Sequence, residues 1–444
     1  MTNNLKSKRV LVMGLGLHGG GVGTVKFLAR SRAKITITDL RSARLLKTSL
    51  KELKKLKNIK YVLGKHRKKD FTEADLVIKN PSVKPDSPYL KLAYKNRVPV
   101  TTDLGIFFKL CPGKIIGVTG TRGKSTTAYL IWRFLRNKYR RTLLGGNIRK
   151  SVLELLPKIR KNDWVVLELS SFQLQDLSYE KQSPQIAVFT NIFKDHLNWH
   201  KNFREYLWAK SQIFTYQKKE GYLFLNPDDE TVKRLAKKAT SRLVYARLPQ
   251  KFEKLVDKNL GRHYRSSVGL ACAVAKHFGI KEKYIKNVLE NFHGLEGRQE
   301  KVAVIRGVNF INDTTATIPD ATIAALKRFR GKTKNKIILI AGGQDKKLDF
   351  RPLAAAIKKY ASILILLPGS ATAKLKRSLH ITNHIYNAKS MREAVSIAQR
   401  LAKKGDYILL SPGAASFGLF LNEFDRGEKF INEIKKLKNA QHRR

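Results

Sequence analysis

Residues Gly117–Thr127 read GVTGTRGKSTT, and the fold turns on whether this is a phosphate-binding loop. The strict P-loop is G-x-x-x-x-G-K-[ST]. Counting back from Gly123-Lys124, the first glycine belongs at 118, where the chain has Val118; Gly117 comes one residue too early and Gly120 two too late. The surroundings suit a phosphate nonetheless. The apolar run KIIGVTG leads in and the helix-like STTAYLIWRFL leads out. Glycines let a backbone wrap a phosphate, Lys124 supplies a point charge, and Ser125 can ligate Mg2+. The other reading is a plain glycine turn that contains a lysine.

Outward from the loop, short apolar runs alternate with amphipathic segments, as in parallel α/β sheets. A chain of 444 residues predicts about three domains. The first carries the strand-like runs RVLVMGLG, KITITDL and ADLVIKNP, and the turn LCPGK (Leu110–Lys114) reads as a linker. The second carries KIIGVTG, DWVVLELS and QIAVFTN; the third starts near Val302 and carries KIILIAGG, SILILLPG and DYILLSPG.

Lys and Arg number 89 against 34 Asp and Glu, a formal charge of +55. The basic residues are spread along the whole chain, and no zinc-finger or RNP spacing occurs. A solvated cationic surface facing anionic substrates is therefore favoured over a dedicated nucleic-acid function. Cys111 and Cys272 cannot build a disulfide framework and fit a reducing cytosol. No apolar run reaches the length of a membrane span. The start KSKRVLVMGLGL dissolves into Gly19-Gly20-Gly21, with no cleavage site after it, and reads as a first strand rather than a signal peptide. A cytoplasmic location is expected.

Several further residues carry chemistry. Gly14, Gly16 and Gly19 match G-x-G-x-x-G between a strand and a helix, and Asp39 closes the next strand twenty residues after Gly19. That is a dinucleotide fingerprint in its expected context, open to NAD, to another nucleotide diphosphate, or to a merely structural turn. Glu168 lies near the C-terminal end of a buried-looking strand, where ligands of parallel sheets bind; it is either a metal ligand or a surface carboxylate. TNIFKDHLNWH brings Asn191, Asp195, His196 and His200 to the same edge. In NFREYLWAKSQIF, Lys210 falls on one helical face with Phe203, Tyr206, Leu207, Ile213 and Phe214. Burial would lower its pKa, and a neutral amine can take up CO2 as a carbamate. Periodicity alone favours snorkelling to the surface.

Taken together these residues resemble the Mur ligase family, the ATP-dependent amide-forming enzymes of peptidoglycan synthesis, over essentially the whole chain. The family loop T-G-T-x-G-K-S/T is met at Thr119–Ser125, so the opening stretch is similar to an ATP loop with its own glycine spacing. GGNI, ELSSFQL, GLEGRQE, INDTTAT, GGQDK and the run from LLSPGAASF to RGEKF resemble the branch that adds glutamate to UDP-N-acetylmuramoyl-L-alanine. Two departures stand out. Thr315 occupies the position of a lysine that contacts glutamate in familiar members, and the adenine motif H-N-x-x-N appears as HYRSS, with Tyr264 and Ser267. Familiar members also carry Asn where this chain has Arg122.

The resemblance implies three domains: a Rossmann-like UDP-substrate domain at 1–110, a central P-loop-type ATPase domain at 111–301 and a Rossmann-like glutamate domain at 302–444. It implies UDP, not NAD, at Gly16, Leu17, His18, Asp39, Arg41, Asn80 and Asn147. It implies ATP at Gly120, Thr121, Arg122, Gly123, Lys124, Ser125, Thr126, Arg298 and Asp313, and glutamate at Thr317, Lys346 and Ser416. Mg2+ is expected at Ser125, Glu168, His196 and a carbamylated Lys210. Lys124, Glu168, His196 and Lys210 are the expected catalytic set. The implied reaction runs through an acyl phosphate, with domain closure excluding water, and the implied form is a monomer that binds no specific nucleic acid. Folylpolyglutamate synthase is the rival of the same class, but it lacks the glycine-rich N-terminal domain. An NAD-dependent oxidoreductase and a basic nucleic-acid-binding protein are rivals of other classes, and neither accounts for Lys124-Ser125 or Lys210.

Overall fold

The fold is that of a computed structural model, which describes residues 5–17, 19–147, 151–197, 199–292, 294–379 and 384–442. The chain forms three sheets. The first comprises β1 (Arg9–Met13), β2 (Lys34–Asp39), β3 (Ile59–Leu63), β4 (Leu76–Lys79) and β5 (Val100–Thr101), in the order β3-β2-β1-β4-β5. The second comprises β6 (Lys114–Thr119), β7 (Leu143–Gly146), β8 (Trp164–Glu168), β9 (Ile186–Phe189), β10 (Tyr222–Leu225) and β11 (Arg242–Tyr245), in the order β11-β10-β9-β6-β8-β7. Both are parallel throughout. They belong to one compact unit, made of 1–194, 199–254 and 264–290.

The third sheet comprises β12 (Glu300–Ile305), β13 (Val308–Asn312), β14 (Ile337–Gly342), β15 (Ile363–Leu367), β16 (Ile385–Asn387) and β17 (Tyr407–Leu410), in the order β12-β13-β17-β14-β15-β16. It lies in a second unit, 291–444 with 195–198 and 255–263. Here β12 runs antiparallel to β13, a departure from the parallel pattern expected from the alternation of apolar runs. The cause is local. Arg306 and Gly307 both take positive φ, 49° and 75°, which is the two-residue turn that a tight hairpin requires.

Alternation explains why the strands bury both faces. Val10 and Val12 of β1 join the core that also holds Val165 and Leu167 of β8. Leu11 and Met13 point the other way, against Phe71, Val77 and Leu90. In β14, Ile337, Leu339 and Ala341 pack on one face, with Ile338 and Ile340 on the other. Strands covered on both faces read as continuous apolar runs, which is why these are visible in the sequence. In the first two sheets a central strand, β1 or β6, has later strands on both sides, and the crevice at the C-terminal ends of such strands is where ligands bind.

Candidate active site

In the second sheet β6 lies between β8 and β9. The glycine loop follows β6, Glu168 ends β8 and Thr190-Asn191 follow β9. Gly120 has φ 143° and Gly123 has φ 77°. A side chain at Gly120 would overlap Thr190 Oγ1, and one at Gly123 would overlap Ser267 Oγ. Both positions therefore require glycine for conformation and for space. The loop is held from outside: Asn191 Oδ1 accepts the Arg122 N–H at 2.9 Å, and Thr190 Oγ1 donates to Arg122 O at 2.5 Å. Thr121 Oγ1 lies 2.9 Å from Tyr206 Oη. The helix Lys124–Leu135 starts directly after Gly123, so its N-terminal, positive dipole end lies at the loop. Lys124 Nζ donates to Thr121 O at 3.0 Å. Thr126 is buried in the helix's first turn. The Arg122 guanidinium stacks over Phe193, 4.9 Å from the ring centre.

Ser125 Oγ donates to Glu168 Oε2 at 2.5 Å, and Asn147 Nδ2 to Glu168 Oε1 at 3.3 Å. Glu168 is buried. Among the described residues no group of three or more His, Cys, Asp or Glu gathers to hold an ion. A hydroxyl and a carboxylate are nevertheless the hard oxygen donors that Mg2+ takes when phosphates and water fill its remaining positions. The donor set at Ser125 and Glu168 fits such an ion.

Lys210 does not snorkel. It is 2% exposed, and its Nζ donates to Gly120 O at 2.7 Å and to Thr119 Oγ1 at 3.5 Å. The apolar face of the helix Phe203–Thr215 thus carries the amine to the underside of the glycine loop, overturning the reading favoured by periodicity. His200 is equally buried, with Nε2 2.9 Å from Ser171 Oγ. Burial drops its pKa to about 4, against a pull from Glu205 and with a push from Lys210. His196 is part-exposed, with φ 55° and Nε2 3.7 Å from Asp195 Oδ2.

At the first sheet, Gly14–Gly19 follow β1 and Asn80 follows β4. Asp39 accepts the Gly16 N–H on Oδ2 at 3.1 Å and the Arg41 N–H on Oδ1 at 2.9 Å, so its carboxylate shapes the turn from beneath. Asn80 packs against Gly14 and folds its own turn through Ser82. Leu17 is half-buried beside them, and His18 lies outside the described residues.

In the second unit, loops after β13, β14 and β17 carry the remaining residues. Lys346 Nζ lies 3.3 Å from Thr317 Oγ1 and 3.7 Å from Asp195 Oδ1. Ser416 is buried in the loop after β17. Thr315 is turned inward and bonds Gly297 O through both its N–H and its Oγ1. Asp313 is buried, accepting from Gln299 N–H and Ser411 Oγ. Burial pushes its pKa up to about 7, against the pull of these bonds and of Arg298. Sequence reasoning missed Arg426. It is 0% exposed and donates to Thr314 O at 2.7 Å, Thr314 Oγ1 at 3.2 Å and Ala414 O at 3.1 Å. A cation inside a polar run such as NEFDRGEKF gives no sign of burial.

A phosphate loop on a parallel sheet, a hydroxyl–carboxylate pair beside it and a buried lysine beneath it define a nucleotide-dependent ligase of one lineage: the chain belongs to the Mur ligase family. Models of that family match residues 8–102 as a MurD-like N-terminal domain, 118–285 as the middle domain and 297–413 as the glutamate ligase domain. The chain is 40% identical to the UDP-N-acetylmuramoylalanine–D-glutamate ligase of Roseiflexus sp. (strain RS-1), over 96% of this chain and 98% of that one. It is 38% identical to the ligase of the same name from Borreliella burgdorferi (strain ATCC 35210 / DSM 4680 / CIP 102532 / B31), over 98% and 100%. The crystal structure of UDP-N-acetylmuramate-alanine ligase from Thermotoga maritima shares the fold, with TM-score 0.63 at 17% identity, over 97% of this chain and 99% of that one.

Proposed function

We propose that this chain is an ATP-dependent ligase that joins glutamate, the D enantiomer favoured, to UDP-N-acetylmuramoyl-L-alanine in peptidoglycan precursor synthesis. The observation that carries the reading is end-to-end identity of 38–40% to ligases named for that reaction, in a chain whose phosphate loop is fully formed. The L-alanyl carboxylate attacks the γ-phosphoryl group of ATP, giving an acyl phosphate and ADP. The amine of glutamate then attacks the acyl carbon and phosphate leaves. Such chemistry is mostly positioning and charge neutralisation.

In this reading Gly120, Thr121, Gly123 and Thr126 wrap the phosphates, with Lys124 as their cation and Arg122 as a second beside them. Ser125 and Glu168 would hold Mg2+, which neutralises phosphate charge when bound. His196 and Lys210, the latter as its carbamate, complete the set of ion-facing groups. Burial of the Lys210 amine at Gly120 O keeps it directly beneath the phosphate loop, which supports its role there. Arg298 and Asp313 belong to the ATP site, Asp313 by holding Gln299 in place. The Gly14–Gly19 turn with Leu17, His18, Asp39, Arg41, Asn80 and Asn147 receives the UDP-substrate. Thr317, Lys346 and Ser416 receive glutamate; Thr315, turned inward, contributes no charge, so Lys346 is the cation for a substrate carboxylate.

The domains are assigned as 1–110, 111–301 and 302–444. The reaction is assigned to the cytoplasm and to a monomer; among the described residues no helix is long and apolar enough to cross a membrane. Phosphate release with UDP-N-acetylmuramoyl-L-alanine and each glutamate enantiomer tests the proposal. Turnover with D-glutamate is expected, and turnover with L-glutamate alone would reverse the stereochemical assignment.

A further inference from the structure

The Lys79–Asp176 pair is a deeply buried ion pair, with side chains 4% and 2% exposed. Lys79 ends β4, and its Nζ donates to Asp176 Oδ2 at 2.7 Å and to Val83 O at 3.0 Å. Asp176 lies in the helix Ser171–Leu177, which begins at the Ser170 cap two residues after Glu168. The pair therefore joins two chain segments 97 residues apart. One is the turn at Asn80–Val83, whose side chains pack on Gly14 and Gly16. The other is the segment running from Glu168.

Adhesion alone does not call for these charges. Val10 and Val12 of the first sheet and Val165, Leu167, Leu174 and Leu177 of the second already share one apolar core. Replacing a buried ion pair by apolar residues of similar size is often neutral or stabilising. The pair also leaves Asp176 Oδ1 buried without a hydrogen-bond partner, an arrangement that selection for stability would remove. Burial pushes the Asp176 carboxyl up to about 6, against the pull of Lys79. What a short, desolvated, directional contact supplies that apolar contacts do not is a fixed position for Val83 O, and through it for the Asn80 turn. The joint is braced nearby: Glu180 accepts from Thr101 Oγ1 at 2.6 Å and pairs with Lys109 at 2.6 Å.

We infer that Lys79 and Asp176 form a strut that holds the UDP-binding turn at a set distance from the strand end bearing Glu168, so that the substrate carboxylate meets the nucleotide in line. Both are positioning residues and neither touches a substrate. The inference rests on the proposed reading of the Gly14–Gly19 turn as the UDP site.

The test uses the full chain, with Lys79→Met, Asp176→Asn and the double variant Lys79→Met/Asp176→Leu. Steady-state constants are measured for each substrate, with thermal unfolding alongside. In the single variants KM for UDP-N-acetylmuramoyl-L-alanine should rise about tenfold and kcat should fall, because small misplacements far from the chemistry are costly. KM for ATP should stay within about twofold, since the loop at Gly120–Lys124 is held by other residues. The double variant, with no stranded charge, should regain the wild-type melting temperature but not the KM, because a thioether side chain has no N–H to donate to Val83 O. A double variant with both stability and KM of the wild type would reduce the pair to a structural contact and overturn the inference. So would equal changes in the constants for all substrates. Where a single variant fails to fold, the double variant decides alone. Wild-type protein inactive on this substrate would remove the functional reading and the strut with it, an outcome distinct from variants that match an active wild type.

Discussion

Lys210 has its amine buried against Gly120 O, and its charge state decides what the site can hold. As an ammonium it repels a divalent cation; as a carbamate it attracts one, and in a desolvated site such Coulomb terms are large. Lys210→Ala should lower kcat by about two orders of magnitude or more, on the order seen when a positioned charge is removed, while UDP-substrate binding survives. Formate or acetate at high concentration should restore part of the rate, and Lys210→Arg should not respond, because its side chain fills the space and stays cationic. Near-normal turnover by Lys210→Ala would end the assignment. His200 makes a separate prediction. Its folded pKa of about 4 lies below the ordinary value of 6.5, so between those values the unfolded chain binds more protons than the folded one. Its contribution to stability is present above pH 6.5 and is lost as pH falls towards 4. Melting temperature should therefore drop over that interval in the wild type and drop less in His200→Phe. Equal slopes for the two proteins would show that other groups control the acid limb.

The glycine loop works as an element because neighbours hold it open. Gly123→Ala would clash with Ser267 and strain a positive φ, so ATP affinity should fall at least about tenfold, with strain of about 1–3 kcal/mol at such a residue; calorimetry with ADP reads this directly. Arg426 fastens the loops after β13 and β17 to the C-terminal helix Glu423–His442. Arg426→Ala would leave carbonyls of Thr314 and Ala414 buried without their donor, a loss of about 1–3 kcal/mol for each unsatisfied group, read by urea unfolding. The sequence exposes these elements unevenly. The apolar runs of β1, β6, β8, β9, β14, β15 and β17 stand out because both faces are buried. β7, LLGG, and the edge strand β11, RLVY, are short, have little apolar contrast and give no such signal. Glu168 is legible at a strand end and the loop lysine after a strand and before a helix that the pattern defines; the pattern puts Lys210 on an apolar helix face but favours snorkelling over the burial found. Asp176 and Arg426 are not, since a single charge in a polar-looking context gives no hint of its partner, and Lys79, although it ends a visible apolar strand, gives no hint that its own lies 97 residues away.

At the scale of the whole molecule the charge of +55 remains outside the chemistry of the site. The protein should bind duplex DNA in dilute salt without sequence preference and release it steeply as salt rises, by counterion release. Fluorescence anisotropy across a salt series checks this, and a preferred oligonucleotide at physiological salt would reopen the nucleic-acid reading. The order of the third sheet has a consequence in time. β17 lies between β13 and β14, yet among the strands of that sheet it is the last to be synthesised. Until residue 410 has left the ribosome, the two apolar strands made earlier have no central partner, and their open edges are the surfaces through which nascent chains associate wrongly. Translation stalled just before β17 should therefore yield aggregation-prone chains that ribosome-associated holdases capture, whereas the 444-residue chain released from the ribosome should escape them.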